Sequence, residues 1–550
     1  MAFAWTLPLA SRPGGFPVLA GAKYTDLLVA HAPSALFLRQ ALEAGEGLPL
    51  WNPHIAGGIP FAADPLAGVW YPPNWLAAAL PVGLAFNLIL WFHLGWACLG
   101  AWRLARTLGC GTAGAWVAGI AYSGSPKLLA HLGLGHLGLV CGMSWAPWVL
   151  GAARSALLAP PRPFPKSVAA YARTGASLGF AFLADPRAAF LIGLVAAAYA
   201  AYLLLRRHSP VSRATGRGIG QVGLGATVAA ATAAGVSAAL WLPLSELLTE
   251  STRAGLSDTS AGSLALPAGD LLQLIVPAAP VSGEWVTYLG ITSLLLGMLA
   301  LALPIRERWF WAGTALAGWA LALGPVTPAY AILSRVIPGM SLVRVPPRML
   351  FLAALAGAVL AGLGADRLLE GPLSDHDRRR LRRTAASFAS AVIILNIGLS
   401  RVSGLSALPP FALWSTAGLA AVAWAAVESG LRRPARRREL TAAWVVLLIF
   451  DLAGFSIPRL GVKAADSLAE GSHVASFLAP RAIGSRVLSV SYSIPQATAV
   501  QFGLRLGDGV HPLSLRRYWD RMAQTLGFPA QGYSVTLPPY PGGDPEAVWT

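Results

Sequence analysis

Residues 82 to 457 contain about a dozen apolar stretches of roughly membrane-spanning length, separated by short arginine-rich or Gly/Pro-rich breaks. A bilayer core of roughly 30 Å requires about 20 apolar residues in helical form. Only helices and closed barrels satisfy backbone polar groups in hydrocarbon, and these stretches lack the alternation of barrel strands. The sequence therefore predicts an all-α polytopic membrane protein with about 12 transmembrane helices.

The apolar stretches divide the chain into three parts. Residues 1–81 are expected to form a first outer loop with an interfacial helix, residues 82–457 the transmembrane domain, and residues 458–550 a C-terminal region outside the membrane. The predicted spans lie near 83–102, 112–124, 136–153, 168–184, 187–205, 219–244, 286–304, 309–324, 349–366, 385–400, 409–427 and 441–457.

Charged residues are sparse and unevenly placed. They make up 12% of the chain, against roughly 25% in a soluble domain. The net charge of +17 comes largely from arginine clusters such as 378–383 and 432–438, in alternate loops. Because excess Lys and Arg mark the cytoplasmic side, these loops are expected inside, and anionic lipid rather than nucleic acid is the expected anionic partner. The opposite set of loops is expected outside: residues 1–80, 247–284, 325–347 and 458–550.

The N-terminus does not match this topology. Residues 2–10 are apolar but too short to span a membrane, and Arg12 and the neighbouring prolines follow them at once. An outer N-terminal segment normally follows a first helix that starts in the cytoplasm. We expect the chain to start after such a helix. We expect the C-terminus to be incomplete as well, because it stops directly after the turn-rich stretch YPGGDP.

The first outer segment is the most distinctive part of the sequence. Residues 34–43 combine leucines and alanines with Arg39, Gln40 and Glu43, which suits a short helix at the membrane interface. Long irregular loops in compact proteins are usually functional or disordered. The aromatic residues after Gly45 argue against disorder, so we expect a folded cap on the membrane surface. Those residues are Trp51, Phe61, Trp70, Tyr71 and Trp75.

The C-terminal part differs in character from the membrane domain. The run RVLSVSYSI alternates and carries β-branched and aromatic residues, as strands do, and AVQFGLRLGDG is a second strand-like run. The run LSLRRYWDRMAQTL has a helical pattern. We therefore expect a small extracytoplasmic α/β region, suited to holding an acceptor molecule.

One string in the first outer segment resembles a known family. GLPLWNPHIAGGIPFAADPLAGVWYPPNWL is similar to the first outer loop of the YfhO-type bacterial membrane proteins, which are counted with the GT-C superfamily of glycosyltransferases. The resemblance covers most of the chain but not the N-terminus, where the family's first transmembrane helix would stand. It implies a GT-C-like fold crossing the bacterial cytoplasmic (inner) membrane many times, with the C-terminus extracytoplasmic. Further similar stretches follow in order at 135–150, 184–193, 284–296, 323–352 and 362–369.

The resemblance also implies an activity. GT-C enzymes take a sugar from a polyprenyl-phosphate donor and transfer it to an acceptor, here an envelope polymer, lipid or protein. The acceptor hydroxyl attacks the anomeric carbon, and the lipid phosphate leaves. A carboxylate base that takes the hydroxyl proton contributes roughly 10²–10⁴-fold in rate, and cations near the phosphate neutralise its developing charge.

Three aspartates of the outer segments are candidate catalytic residues. Asp26 stands where the resemblance places a catalytic carboxylate, which would act as the base, although Asp26 or Thr25 can equally cap the helix that follows. Asp64 lies in FAADPL, where Asp-Pro is also a common turn opener. Asp185 lies in a tight turn between two spans, so it is either functional or a turn cap paired with Arg187.

Five further residues are candidates for substrate binding. Arg344 and Arg348 are expected to face outward at the start of a span, and a planar guanidinium suits phosphate oxygens, although both could instead anchor lipid headgroups or pair with an acidic residue. Glu284 opens a span, where a helix N-terminus favours a carboxylate. His136, in the stretch GHLGL, either donates a hydrogen bond to substrate or is a packed histidine. His54 completes the set.

The histidine spacing does not favour a resident metal. His131 and His136 are five residues apart, and with His54 and Asp64 they could imitate a metal site, but neither HxxxH nor HxH occurs. No other cofactor is indicated. The polyprenyl-phosphate sugar is expected as the donor substrate, alongside the lipid bilayer and the envelope acceptor as partners.

Two other functions remain open from the sequence. A transporter or flippase of lipid-linked substrates should show internal repeats and charges at mid-membrane. No repeat is evident, and Arg173 and Asp451 lie near predicted span ends. A non-catalytic protein of envelope assembly is the other alternative. The prediction is a membrane glycosyltransferase.

Overall fold

A computed structural model describes most of the chain. The described residues are 5–158, 164–207, 219–255, 264–277, 282–337, 339–340, 344–371, 373–401, 410–432, 437–489, 492–530 and 533–539 of 550.

The described residues are mainly helical. The α-helices are α1 (Leu7–Ala10), α2 (Ala32–Glu43), α3 (Leu76–Ala79), α4 (Val82–Thr107), α5 (Thr112–Ser123), α6 (Pro126–Leu134), α7 (Leu137–Met143), α8 (Ala146–Leu158), α9 (Phe164–Ala184), α10 (Pro186–Arg207), α11 (Ile219–Glu250), α12 (Ile291–Ala302), α13 (Arg308–Ala322), α14 (Pro328–Val336), α15 (Leu350–Leu369), α16 (Asp375–Ser400), α17 (Pro410–Arg432), α18 (Arg437–Ser456), α19 (Ser472–Leu478), α20 (Gln496–Gln501) and α21 (Arg516–Leu526). The strands are β1 (Phe16–Leu19), β2 (Trp51–Asn52), β3 (Ile59–Pro60), β4 (Leu460–Lys463), β5 (Gly509–Val510) and β6 (Thr536–Leu537).

Seven of the described helices are long and apolar enough to cross a membrane, namely α4, α10, α11, α15, α16, α17 and α18. Each predicted span overlaps at least one helix, and the third coincides with two short ones, α7 and α8. The prediction of a polytopic helical membrane protein is confirmed. The count of about 12 spans and the boundaries of the three parts remain predictions.

Helix α15 forms the centre of the membrane domain. It packs against α5, α12 and α13, and nearly all of its residues are buried. Glycines allow this close approach: a Cβ on Gly362 would lie 2.7 Å from the carbonyl oxygen of Gly114, and one on Gly364 only 1.9 Å from that of Leu296. Small residues at helix contacts let backbones approach closely where no hydrophobic effect drives association. The segment just before α15 is therefore held in a fixed place.

The N-terminal and C-terminal outer segments fold together. We call residues 16–80 and 460–539 the cap. Strand β1 pairs antiparallel with β4, from Phe16 opposite Lys463 to Leu19 opposite Leu460. Strand β2 pairs with β3, and β5 with β6, also antiparallel. Because each pair is short, side-chain contacts between the two segments complete the cap.

Helix α2, predicted as an interfacial helix, is present but lies within the cap. Its face with Phe37, Leu38 and Ala41 is buried, and it packs against α20. Gln40 donates to the carbonyl of Val500 at 3.3 Å. The helix therefore supports the C-terminal segment.

The strands predicted in the C-terminal segment differ from those observed. Val487 makes a single bridge to Leu506, and two residues of that predicted strand, 490 and 491, lie outside the described part. The second run begins as helix α20 and forms a strand only at Gly509 and Val510. The predicted helix at the end is confirmed as α21. Alternation is a weak signal here, since contacts with the first outer segment decide the local structure.

Candidate functional site

A cavity of about 210 Å³ lies between the cap and the adjacent ends of the membrane helices. Five of the eight predicted site residues line it: Asp26, His136, Glu284, Arg344 and Arg348. They come from four separate chain segments. These five side chains therefore face a common cavity.

A left-handed glycine brings Asp26 to His136. Gly135 ends helix α6 with φ of +83°, a conformation that glycine adopts at little cost. A Cβ there would lie 2.3 Å from Thr25 Oγ1 and 2.7 Å from the Asp26 backbone nitrogen. Because nothing larger than glycine fits, the segment carrying Asp26 lies directly against this turn. His136 Nε2 is 3.3 Å from Asp26 Oδ2.

The two histidines connect Asp26 to Glu284. His131 Nδ1 and His136 Nδ1 are 2.7 Å apart and share one proton. His131 Nε2 lies 3.2 Å from Glu284 Oε2. If His136 Nε2–H donates to Asp26, its Nδ1 must accept from His131, which leaves His131 Nε2 without a proton when both rings are neutral. We call the hydrogen-bonded chain Asp26–His136–His131 the relay.

Glu284 is surrounded by positive and protonatable groups. Arg348 donates to Glu284 Oε1 through Nη2 at 2.6 Å and through Nε at 3.0 Å. Lys127, which is buried, donates to the Glu284 carbonyl and lies 3.8 Å from Oε2. Burial alone would raise the pKa of the Glu284 carboxyl, but Arg348, His131 and Lys127 hold it well below its usual range. Glu284 is therefore ionised at neutral pH, and its carboxylate fixes Arg348.

Asp26 is also held ionised. Burial would raise the pKa of its carboxyl, but the hydrogen bond from His136 and the charges of His136, His31 and Arg348 bring it below its usual value. The Asp26 side chain is still 39% exposed and faces the cavity. It is the carboxylate of the relay that a ligand can reach.

Four arginines of the described chain line the cavity: Arg187, Arg253, Arg344 and Arg348. Burial lowers the pKa of the Arg253 guanidinium, and the like charges of Arg187, Arg348 and Arg344 add to that effect. These cations are therefore close enough to repel one another. The guanidinium of Arg344 also stacks on the ring of Tyr533 at 4.8 Å, a favourable cation–π distance. Such a group of guanidinium donors suits a phosphate or another multivalent oxyanion.

Asp185 lies behind one of these arginines. Its Oδ2 accepts from Arg187 Nη2 at 2.6 Å, and its Oδ1 accepts from the backbone nitrogens of Arg187 and Ala188. The carboxylate is 4% exposed. It therefore caps α10 and aims Arg187 at the cavity, as the turn-cap alternative predicts.

The remaining two predicted site residues lie within the cap. Asp64 is 2% exposed and its Oδ2 is 3.0 Å from His511 Nε2. Its Oδ1 accepts from the Leu66 nitrogen at 2.9 Å. His54 Nδ1 is 2.7 Å from the Leu504 carbonyl. Both side chains join the first outer segment to the C-terminal one, and neither is among the residues that line the cavity.

Donor atoms of His131, His136 and Glu284 lie within 4.8 Å of one another, a spacing that can accommodate a metal ion. The charges around them do not fit one. Glu284 already contacts Arg348 and Lys127, and both oppose a further cation. We therefore derive no chemical step through a metal.

Several residues of this site are not among the eight predicted ones, including His31, Lys127, His131 and Arg253. The sequence did carry a signal for Lys127, because a lysine next to apolar helices lowers stability unless an acidic group pairs with it. Burial lowers the pKa of Lys127 to about 7, although Glu284 raises it in part. The signal for Arg253 was weaker, since a single arginine in an outer loop is common.

Solved structures of the mycobacterial arabinofuranosyltransferase AftD share this fold. One is 16% identical to this chain with a TM-score of 0.52, and the match covers 88% of this chain and 29% of AftD. A mutant form of AftD gives 16% identity, a TM-score of 0.50, and coverage of 94% and 33%. This chain thus spans about a third of AftD. At such identities the likeness shows the fold alone.

The chain has the fold of the AftD structures. Membership of the GT-C superfamily and membership of the YfhO-type family both remain predictions. ArnT from Cupriavidus metallidurans bound to undecaprenyl phosphate is 13% identical over 92% of this chain and 84% of its own, with a TM-score of 0.41. No protein-family model matches the sequence, and no curated protein is similar to it.

Proposed function

We propose that this chain is a membrane glycosyltransferase of the cytoplasmic membrane. It transfers a sugar from a polyprenyl-phosphate donor to an envelope acceptor on the extracytoplasmic face. One observation carries the proposal: a reachable, ionised carboxylate and a group of arginines line the same cavity. The shared fold supports it, since the similar protein AftD is an arabinofuranosyltransferase.

The arginines bind the donor phosphate. Arg344, Arg253 and Arg187 supply the donors, while Arg348 is held toward the cavity by its bond to Glu284. Gathering like charges costs free energy in the empty cavity, and a bound phosphate offsets that cost. The same donors stabilise the negative charge that grows on the phosphate oxygen as the glycosidic bond to the sugar breaks.

Asp26 is the general base. As the acceptor oxygen forms its bond to the anomeric carbon, the hydroxyl proton passes to an Asp26 oxygen and the polyprenyl phosphate leaves with the bonding electron pair. A base must lie within about 3 Å of the proton it takes, or act through one water. His136 holds the carboxylate at 3.3 Å so that its other oxygen can face the acceptor.

Asp185, Asp64 and His54 act as positioning residues in this proposal. Asp185 orients Arg187, whereas Asp64 and His54 hold the cap in place over the cavity. They are not required to touch the reacting atoms.

The proposal is tested by transfer in proteoliposomes. The full chain is supplied with a radiolabelled polyprenyl-phosphate sugar and an envelope extract as acceptor source, and label in the polymer, lipid and protein fractions is counted. The proposal predicts transfer that depends on Asp26. Binding of polyprenyl phosphate with no transfer to any fraction would instead support a transporter.

A further inference from the structure

A second, larger concavity lies beside the cavity with Asp26. It is a groove of about 640 Å³ between the first outer segment, the end of α11 and helix α21. We call it the side groove. Its size falls within the range of small-ligand sites. No residue of the proposed reaction lines it.

Two aromatic rings from different segments rest on consecutive glycines of the side groove. Gly57 and Gly58 have φ of +73° and +110°. A Cβ on Gly57 would lie 2.2 Å from the ring of Tyr518, and one on Gly58 would lie 2.5 Å from the indole of Trp51. Any larger residue would displace the rings. Trp51 remains 47% exposed although its ring is fixed in this way.

A small core holds helix α21 against these glycines. Trp519 is 1% exposed and packs with Ile55, Ile59 and Leu537. Tyr518 Oη donates to the Gly507 carbonyl at 2.8 Å. The ring positions are therefore built into the cap and do not depend on a ligand.

Charged groups of both signs stand above the rings. Glu246 and Glu250 lie one turn apart on α11, and Arg517 and Arg521 lie one turn apart on α21. Glu250 accepts from Arg517 at 2.8 Å. Glu246 and Arg521 make no ion pair with any residue that the structure describes. The side groove thus offers hydrogen-bond acceptors and donors beside exposed ring faces.

The side groove and the cavity share their walls. Three segments line both, each at positions three residues apart: Ala63 and Leu66, Glu250 and Arg253, Leu515 and Pro512. Three residues of extended chain span at most about 11 Å. Ser251 and Leu515 form an isolated antiparallel β-bridge between the side groove and the cavity. A chain of a few sugar units is long enough to reach from one to the other.

We propose that the side groove binds the oligosaccharide chain of the acceptor and so presents the terminal hydroxyl to Asp26. The inference rests on the proposed function and adds the class of acceptor to it. The C–H face of a sugar ring packs on the flat face of Trp51, and vicinal hydroxyls donate to Glu246 and accept from Arg521. Aromatic side chains combine large contact area with low conformational entropy, which suits such a platform.

A lipid chain fits these groups less well. It would remove water from Glu246 and Arg521 without giving them partners, which is costly for charged groups. A saccharide satisfies both the rings and the charges.

A glycan-binding measurement tests the inference without any donor. The purified full chain in detergent is applied to a printed array of bacterial envelope oligosaccharides of two to eight units. Wild type should retain at least one of them. Trp51→Ala should bind it roughly 10-fold more weakly, as expected for loss of a central aromatic contact. Glu246→Gln, an exchange at an exposed side chain that keeps the packing, should also bind it more weakly.

Matched controls separate the groove from general damage. Trp414→Ala removes a tryptophan that is 61% exposed on α17, and Glu470→Gln changes an exposed glutamate of the cap. Both should bind as wild type does. Retention of no oligosaccharide by wild type, or unchanged binding by both groove variants, would overturn the inference. A different result would separate the two proposals. If oligosaccharide binding depends on Trp51 but the protein shows no transferase activity, the proposed function is wrong and the side groove is still a saccharide site.

Discussion

His136 Nε2 lies 3.3 Å from Asp26 Oδ2, and this contact joins the first outer segment to the turn after helix α6. The ring of His136 also reaches His131, whose other nitrogen faces Glu284. Asp26, the candidate base, is therefore positioned by His136, and His136 is positioned in turn by its contact with His131. The effect of His136 on Asp26 is measurable separately from catalysis.

Replacing His136 should change the pH dependence of transfer. Burial raises the pKa of Asp26, whereas the hydrogen bond and charge of His136 lower it. In His136→Ala the burial remains and the lowering effect is lost, so the pKa of Asp26 rises. The acid limb of kcat/KM against pH should therefore move to higher pH. His473→Ala, at an exposed cap residue, should leave the limb in place. An unmoved limb in His136→Ala would show that Asp26 is not the titrating base.

The arginines should control donor affinity. Arg344→Ala and Arg253→Ala should each weaken binding of undecaprenyl phosphate by roughly 10-fold, because a hydrogen bond to a charged group contributes about 1.5–3 kcal/mol. The value of kcat should change less than KM if the phosphate is bound equally in the ground state. Arg335→Ala, at an exposed residue outside the cavity lining, is the matched control. Equal affinities in all three variants would place the phosphate elsewhere.

Five predicted site residues meet in one cavity: Asp26, His136, Glu284, Arg344 and Arg348. The family resemblance pointed to Asp26 and His136, and the other three stood out because charged groups are rare in the predicted outer loops. The membrane-spanning helices were predictable because the length and apolarity of a segment suffice to place a span.

Long-range pairing was not predictable from one sequence. Asp64 looked like a candidate base, yet its carboxylate pairs with His511 near the other end of the chain. Lys127 and His131 become part of the site only because the loop carrying Glu284 folds over them. No local pattern encodes such contacts. The same is true of the side groove, where Trp51 and Tyr518 meet on two glycines.

Glu284 should be important for stability. Its pKa lies well below the usual range, so its ionised form stabilises the native state at every pH above the unfolded-state value of about 4.3. Glu284→Gln leaves Arg348 and Lys127 without their counter-charge. Removing one partner of a buried pair lowers the free energy of unfolding by about 3 kcal/mol. The melting temperature in detergent should fall at pH 7, and the gap to wild type should narrow as the pH drops below about 4.

Glu46→Gln, exposed in the cap, should melt as wild type does at both pH values. A gap that persists unchanged at low pH would argue against this role.

Membrane orientation can be tested by cysteine labelling. The three native cysteines are buried, so background reaction should be low. Cysteines replacing the exposed residues Glu46 and Arg481 should react with an impermeant maleimide added to intact cells. One replacing exposed Arg380 should react only after the cells are opened. The reverse pattern would invert the topology and move the cavity to the cytoplasmic side.

The most direct test of the account is the rate of sugar transfer by Asp26→Asn in the proteoliposome assay. The exchange keeps the size of the side chain and removes its ability to take a proton. Transfer should fall by roughly 10²–10⁴-fold, while undecaprenyl phosphate binds with unchanged affinity and the melting temperature stays close to that of wild type. Transfer at the wild-type rate in Asp26→Asn would contradict the account, because no base would then be needed at the position on which the site depends.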